Sequence, residues 1–239
     1  MESSESPPMA NPALSAKEAA GREASKFVEN GQVVGLGTGT TIESFLVAIA
    51  ERIEKEDLDI RGVPTSKATA ERAEELGIPL SSLDQDPVLD LAVDGADEVD
   101  GAFRLIKGGG GALLREKIVA NSAQKVIIVI GEGKRVETLG LTFMLPVEVI
   151  PFGNQVTEMQ IADLGCQPFL RTLENGDPFV TDNGNYIFDC QFEDGIEDPD
   201  DTHSKLSQLP GVAENGIFID LCDVVVEGLD GGETFVEEK

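Results

Sequence analysis

The chain has 239 residues, with 45 Asp and Glu against 18 Lys and Arg, a formal net charge of −27. A field this negative repels nucleic acid and anionic membrane surfaces, which excludes both as partners, and no apolar run nears the ~20 residues of a membrane span. The charge is dispersed along the chain, which predicts a protein adapted to high salt, where screening suppresses self-repulsion.

Residues 1–15 are polar, with Ser, Glu and Pro, and lack the basic start and apolar stretch of a secretory leader. They are expected to be a disordered acidic tail, and the protein is expected in the cytoplasm. Helical spacing predicts a helix over Ala16 to Glu29, ended by Gly31. Val33 to Gly37 is an expected buried strand that runs into a Thr38-Gly39-Thr40-Thr41 loop. A helix is expected next over Ile42 to Glu54, with Ile42, Phe45, Leu46, Ile49 and Ile53 on one face. Ile60 to Val63 is a second strand, Ala68 to Leu76 a helix, Leu89 to Val93 a third strand and Lys125 to Ile130 a fourth. Continuous apolar runs of this kind belong to parallel strands buried on both faces. The alternation predicts a Rossmann-like, open, mostly parallel α/β sheet with its site at the carboxyl ends of the strands.

The pattern changes near Leu145. Val147 to Ile150, Pro168 to Leu170, Phe179 to Thr181 and Tyr186 to Cys190 are expected strands, with Asn-Gly turn signals at 175–176 and 183–184. Helices are expected over Asn154 to Leu164 and Thr202 to Leu209, giving a smaller α+β (ferredoxin-like) unit. Ile217 to Leu221 and Asp223 to Gly228 are further strands, the latter able to rejoin the first sheet. The expected organisation is the tail 1–15, an α/β catalytic domain of 16–144 plus 217–239, and a small α+β domain of 145–216.

Cys166, Cys190 and Cys222 are widely spaced and form no Cys-x-x-Cys, so buried thiols are expected rather than a disulfide framework. His203 is the only histidine and comes just after the acidic run Asp198 to Asp201, which reads as a turn. It is expected to be solvated, which argues against His-based catalysis and a zinc site. Asp94 to Asp100 fails as a calcium loop, because Ala96 stands where a ligand belongs and Val99 where the turn glycine belongs. No metal site is expected.

Two segments carry chemistry. Asp94-Gly95-Ala96-Asp97-Glu98 places carboxylates at a strand's carboxyl end. A dozen residues on, Lys107-Gly108-Gly109-Gly110-Gly111 precedes a helix with Glu116 expected in its second turn. Glycines let the backbone approach a ligand closely, and a lysine beside carboxylates suits proton transfer. Taken singly, Glu116, Lys107 and Lys134 read first as solvated surface residues. Gly35-Leu36-Gly37-Thr38-Gly39-Thr40-Thr41 fails as a dinucleotide fingerprint, because Thr40 and Ile42 stand where a third glycine would. It is either a tight turn or a loop that offers N–H groups and hydroxyls to one phosphate.

Together, Gly35–Thr41, Asp94–Glu98 and Lys107–Lys117 resemble three signature segments of the type A ribose-5-phosphate isomerases. Leu145–Pro151 and Val180–Asn185 resemble two more, and the five occur in the family's order. The departures, among them Thr40 where the family often has Ser and Gly111 where Ala is common, fall on no expected catalytic group. The resemblance implies a cofactor-free isomerase of ribose 5-phosphate and ribulose 5-phosphate in the non-oxidative pentose phosphate pathway, working through a cis-enediolate. It implies Glu116 as the base, Asp94 and Asp97 as partners of sugar hydroxyls in ring opening, and Lys107 with the N–H groups of Gly108, Gly109 and Gly110 at the enediolate oxygens. Thr38, Gly39, Thr40, Thr41, Lys134 and Lys17 would hold the phosphate and substrate, alongside Gly95 and Ala96. The small α+β unit would help build the interface of a homodimer or homotetramer. Two rival classes share related folds. A CoA transferase would use a glutamate as nucleophile, but the small chain and lysine-bearing phosphate site argue against it. A sugar-phosphate sensing domain of a transcription regulator would need a DNA-binding helix pair, which the sequence before residue 30 lacks.

Overall fold

The computed structural model describes residues 15–229 and 231–239. The expected tail therefore lies outside the described residues except for Ser15. Ser15 caps helix α1 (Ala16–Ser25): its hydroxyl accepts from Glu18 N–H while the Glu18 carboxylate accepts from Ser15 N–H, a reciprocal pair that satisfies two orphan donors.

Five parallel strands form the main sheet: β1 (Val33–Leu36), β2 (Arg61–Pro64), β3 (Leu91–Gly95), β6 (Val126–Gly131) and β12 (Val224–Gly228). The spatial order is β2-β1-β3-β6-β12, and β13 (Thr234–Glu238) closes the edge antiparallel to β12. The return of 224–228 to the sheet is as the sequence implied, whereas β13 carries too little apolar periodicity to be foreseen. Helices α1, α2 (Thr40–Glu56) and α3 (Lys67–Glu75) share a core with Val34, Leu36, Val93, Ile127 and Val226 on one face of the sheet. The i, i+3, i+4, i+7 stripe Ile42, Phe45, Leu46, Ile49 is fully buried there, each side chain stabilising by about 1.5–3 kcal/mol. The opposite face carries α4 (Leu113–Asn121) and a three-stranded sheet of β11 (Ile217–Phe218), β5 (Leu105–Ile106) and β4 (Glu98–Val99), packed through Leu105, Ala120, Phe218, Ile128 and Val225.

A second, four-stranded antiparallel sheet is built from β7 (Leu145–Val149), β8 (Gln167–Leu170), β9 (Tyr186–Gln191) and β10 (Val212–Asn215) in the order β10-β7-β9-β8. With α5 (Asn154–Ala162) after β7 and α6 (Pro199–Ser207) after β9, this is the split βαβ pattern of a ferredoxin-like layer. All three cysteines are free and buried. Among the described residues no helix is long and apolar enough to cross a membrane.

Several expectations need correction. Phe179 to Thr181 form no strand: the Thr181 hydroxyl accepts from the N–H groups of Asn183 and Asn185, turning the backbone away from a ladder. β3 begins at Leu91 rather than Leu89 and carries Asp94 within the strand. The acidic run is no free turn; Asp198 caps α6 by accepting from Asp201 N–H, with Pro199 in the first turn. His203, on that helix, is half-buried rather than solvated, and its Nδ1 lies 3.0 Å from Asn215 Oδ1.

Candidate active site

The carboxyl ends of β1, β3 and β6 open into one cleft of about 360 Å³. It lies where successive strands leave β1 in opposite directions, as sites in open α/β sheets do. The cleft is lined by Lys17, Thr38, Gly39, Thr40 and Thr41 on one side and by Gly95, Ala96, Asp97, Lys107 and Glu116 at its floor. Gly108, Gly109, Gly110 and Lys134 complete it. Every sequence-predicted site residue except Asp94 therefore reaches one space, and Asp94 lies directly behind Lys107. Sequence reasoning passed over Ala16, Gly131 and Glu132, which also line the cleft. Gly131 ends β6, so the rule that sites gather at carboxyl ends of strands was the available signal. Wider clefts, about 640 Å³ beside Asp194 and about 440 Å³ beside Arg52, open elsewhere. Neither has a buried charged cluster, and neither gathers the two chemistry-bearing segments.

At the floor, Lys107, Asp94 and Glu116 are all at least nine-tenths buried. Lys107 Nζ lies 3.1 Å from Asp94 Oδ2 and 3.3 Å from Glu116 Oε2, and donates to Gly95 O at 2.5 Å. Glu116 sits in the first turn of α4, one turn earlier than expected, and its Oε2 accepts no aligned hydrogen bond. Burial disfavours a charge on Glu116, and the Asp94 carboxylate repels it further; against the opposing pull of Lys107 its pKa is raised to about 8. Burial raises Asp94 as well, although Lys107 and the N–H groups of Gly95 and Thr38 oppose it. Burial alone would strip the proton from Lys107, but the flanking carboxylates outweigh it and hold the ammonium firmly charged. One fixed cation between two crowded carboxylates keeps one of them ready to exchange a proton near neutral pH.

The β1 end is shaped to admit Asp94. Asp94 Oδ1 accepts from Thr38 N–H (3.1 Å) and Gly95 N–H (2.7 Å). A Cβ at Gly37 would stand 2.2 Å from that same oxygen, so only glycine fits. The Thr38 hydroxyl is held by those of Thr65, Ser66 and Thr69 at 2.7–3.1 Å. Gly39, at φ +118°, begins α2 with no side-chain cap, leaving the helix N-terminus facing the cleft. Lys17 Nζ reaches it from α1 and donates to Thr40 Oγ1 at 2.8 Å. A lysine, hydroxyls and a bare helix N-terminus together make an anion site. Lys134 completes the rim, its loop pinned to β4 by the Val99 N–H to Lys134 O bond of 2.8 Å.

The glycine loop is braced on both sides. Gly109 N–H donates to Asp97 Oδ2 at 2.8 Å and Gly111 N–H to Gly108 O, so two of the loop's donors are already used. Arg171, from the antiparallel sheet, donates to the carbonyls of Gly108 (3.0 Å) and Gly109 (3.1 Å) while paired with Asp189. The cleft thus offers a basic-capable carboxylate, a fixed cation beside it and an anion-binding wall opposite.

The family model described as ribose 5-phosphate isomerase A (phosphoriboisomerase A) matches residues 61–232. The ribose-5-phosphate isomerase A of Parvibaculum lavamentivorans is 50% identical over 227 residues, covering 92% of this chain and 97% of the relative. A solved D-ribose-5-phosphate isomerase in complex with phospho-erythronic acid superposes with a TM-score of 0.90 at 41% identity, over 94% of this chain and 98% of that one. The ribose 5-phosphate isomerase A structure from Methanocaldococcus jannaschii gives 0.89 at 37% identity over the same shares. With its fold, its cleft and its sequence all in accord, the chain belongs to the ribose 5-phosphate isomerase A family, the isomerases that interconvert ribose 5-phosphate and ribulose 5-phosphate.

Proposed function

We propose that the isomerisation proceeds in this cleft through a cis-enediolate, with Glu116 as the base. The observation that carries the reading is the buried Glu116 carboxylate, without an aligned hydrogen bond on Oε2 and 3.3 Å from Lys107. Glu116 takes the proton from C2 of the open-chain aldose and returns it to C1, while the O2 hydroxyl proton passes to O1, so the two sugars differ only in where these two protons reside. The negative charge that develops on O1 and O2 is balanced by Lys107 and the remaining N–H groups of the Gly108–Gly110 loop. Oxyanion stabilisation of this kind is worth about 2.7–4 kcal/mol per donor. Asp94 and Asp97 hold sugar hydroxyls and assist ring opening. Lys17, Thr38, Gly39, Thr40, Thr41 and Lys134 hold the phosphate, and Gly95 and Ala96 shape the sugar subsite. Phospho-erythronic acid, the ligand of a relative, supports this reading: it pairs a phosphate with a carboxylate whose two oxygens resemble those of an enediolate.

The test is conversion of ribose 5-phosphate to ketose by the wild-type protein and by Glu116→Gln. The substitution keeps size and polarity and removes the base, so kcat falls by at least ~10²-fold while substrate still binds. Substrate deuterated at C2 loses its label to water with the wild type and retains it with the variant. A variant that still turns over and exchanges the label moves the base elsewhere.

We further read the protein as a cytoplasmic enzyme adapted to high salt, its catalytic domain formed by 16–144 with 217–239 and a small domain by 145–216. The exposed apolar side chains Phe152, Val156 and Met159 on and beside α5 support a homodimer or homotetramer joined through the small domain. A monomeric mass in light scattering would refute that assembly.

A further inference from the structure

Leu145–Pro151 and Val180–Asn185 stand out in the sequence beside the cleft-forming segments, yet neither lines the cleft. The structure joins them to each other. Glu148 of β7 is fully buried, and its Oε1 accepts from Thr181 Oγ1 (2.9 Å), Asn183 Nδ2 (3.0 Å) and Asn185 Nδ2 (2.8 Å). Its Oε2 is buried without a partner. A carboxylate placed among Val147 and Val149 costs stability that an apolar side chain would not. What it returns is a rigid loop 181–185.

That loop grips the first turns of two helices packed on the main sheet. Asn183 Oδ1 accepts from Arg115 Nε at 2.8 Å, and Asp182 O accepts from Arg115 Nη2 at 3.2 Å. Arg115 immediately precedes Glu116 in the first turn of α4, a helix whose N-cap, Ala112, makes no side-chain hydrogen bond. An uncapped first turn frays unless something outside it holds it. At the second, Asp182 Oδ2 accepts from Lys67 N–H, the first of α3, at 2.7 Å, and the same oxygen lies 3.6 Å from Arg115 Nη1. The residues that open α3 in turn hold the phosphate-side loop: Ser66 and Thr69 contact Thr38 Oγ1, and Thr69 Oγ1 donates to Gly37 O at 2.9 Å.

We infer that loop 181–185 is a clasp with two arms, Asn183 positioning the Glu116 turn through Arg115 and Asp182 positioning the Thr38 loop through α3 while its carboxylate also braces Arg115, both fixed by Glu148 as buried hub. These are positioning residues, since none touches the cleft, and the inference rests on Glu116 being the base. The arms act on different parts of the reaction. Release of Arg115 displaces the proton-transferring group and lowers kcat. Release of α3 loosens the phosphate wall and raises KM.

Steady-state kinetics on Asn183→Ala, Asp182→Ala and the double variant test this, with Glu116→Gln run alongside and thermal melts on all. Asn183→Ala lowers kcat by about ten- to a hundredfold with KM within about threefold, since small displacements of a reacting group cost that much. Asp182→Ala raises KM by about tenfold, as expected for lost ground-state binding, with a smaller loss of kcat than Asn183→Ala, because Arg115 loses a 3.6 Å ion pair but keeps its bond to Asn183. The double variant shows both changes. Glu148→Gln, which keeps the accepting oxygen, retains wild-type kinetics, whereas Glu148→Ala shows both defects; should it not fold, the two loop variants decide alone. The inference is overturned if either loop variant has wild-type kinetics, or if both lose kcat and KM alike in step with a lowered melting temperature. An active Glu116→Gln would instead overturn the base assignment, so the two failures are distinguishable.

Discussion

At the residue scale the decisive object is the buried trio of Asp94, Lys107 and Glu116, in which Lys107 keeps its charge and the crowded carboxylates contend over theirs. Glu116 ionises near pH 8 in the folded protein against 4.5 for the ordinary side chain, because burial and Asp94 both oppose its charge. A raised carboxylate means that the folded state holds a proton which the unfolded state has released. Stability is therefore fully present below about pH 4.5 and declines as pH rises towards 8. Glu116→Gln removes that titration, so the variant melts higher than the wild type at pH 9 by at least about 2 °C, and the gap closes at pH 5. Calorimetry at the two pH values checks this; an unchanged gap would mean that the Glu116 carboxyl is not held protonated by its surroundings. The same group predicts activity: kcat/KM rises with pH up to a plateau above about 8, because Glu116 in its proposed role as base works only when ionised.

At the element scale, the site is made by strand ends, and this is why so much of it could be read in the sequence. β1, β3 and β6 are short apolar runs, and the loop after each strand falls at the sheet's carboxyl edge, so Thr38, Asp97 and Lys134 are gathered by topology alone. The close fit between β1 and β3 yields a sharp expectation. Gly37→Ala drives its methyl to 2.2 Å from Asp94 Oδ1, displacing Asp94 from Lys107 and the Thr38 N–H. Activity falls at least about tenfold and the melting temperature drops, the overpacking costing about 1–3 kcal/mol. A fully active Gly37→Ala would mean that the strands part without consequence. The illegible features share a different cause. The reach of Arg171 to Gly108 and Gly109, and the seat of His203 against Asn215, join residues of different elements through single side-chain contacts. Such contacts leave no periodicity to detect. Phe179 to Thr181 has the apolar look of a strand but loses it to hydroxyl-backbone bonds within its own turn.

At the scale of the whole molecule, the net charge of −27 is the dominant fact. Acidic residues of the described chain do find partners, among them Glu51 with Arg22 and Lys55, and Asp86 with Arg61, but these pairs lie near the surface, where solvent screening leaves them little net stabilisation. Most of the carboxylates repel one another in dilute buffer. The melting temperature and activity therefore rise with KCl into the molar range, as the screening length shrinks to about 3 Å at 1 M. Melts and assays across a KCl series decide this, and a melting temperature indifferent to salt would remove the adaptation to brine.

The place of β12 in the sheet has a consequence for biosynthesis. β12 lies beside β6, yet the whole antiparallel layer is synthesised between them. On the ribosome the first four parallel strands emerge early and can form the cleft's walls, while the flank of β6 stays bare until residues 224–228 arrive. With elongation at about 5–20 residues per second, that flank is open for seconds, long enough for nascent chains on one messenger to pair edge to edge. Docking of 224–228 is the step that ends this exposure, so the sheet's final shape is settled only once the intervening layer has been made.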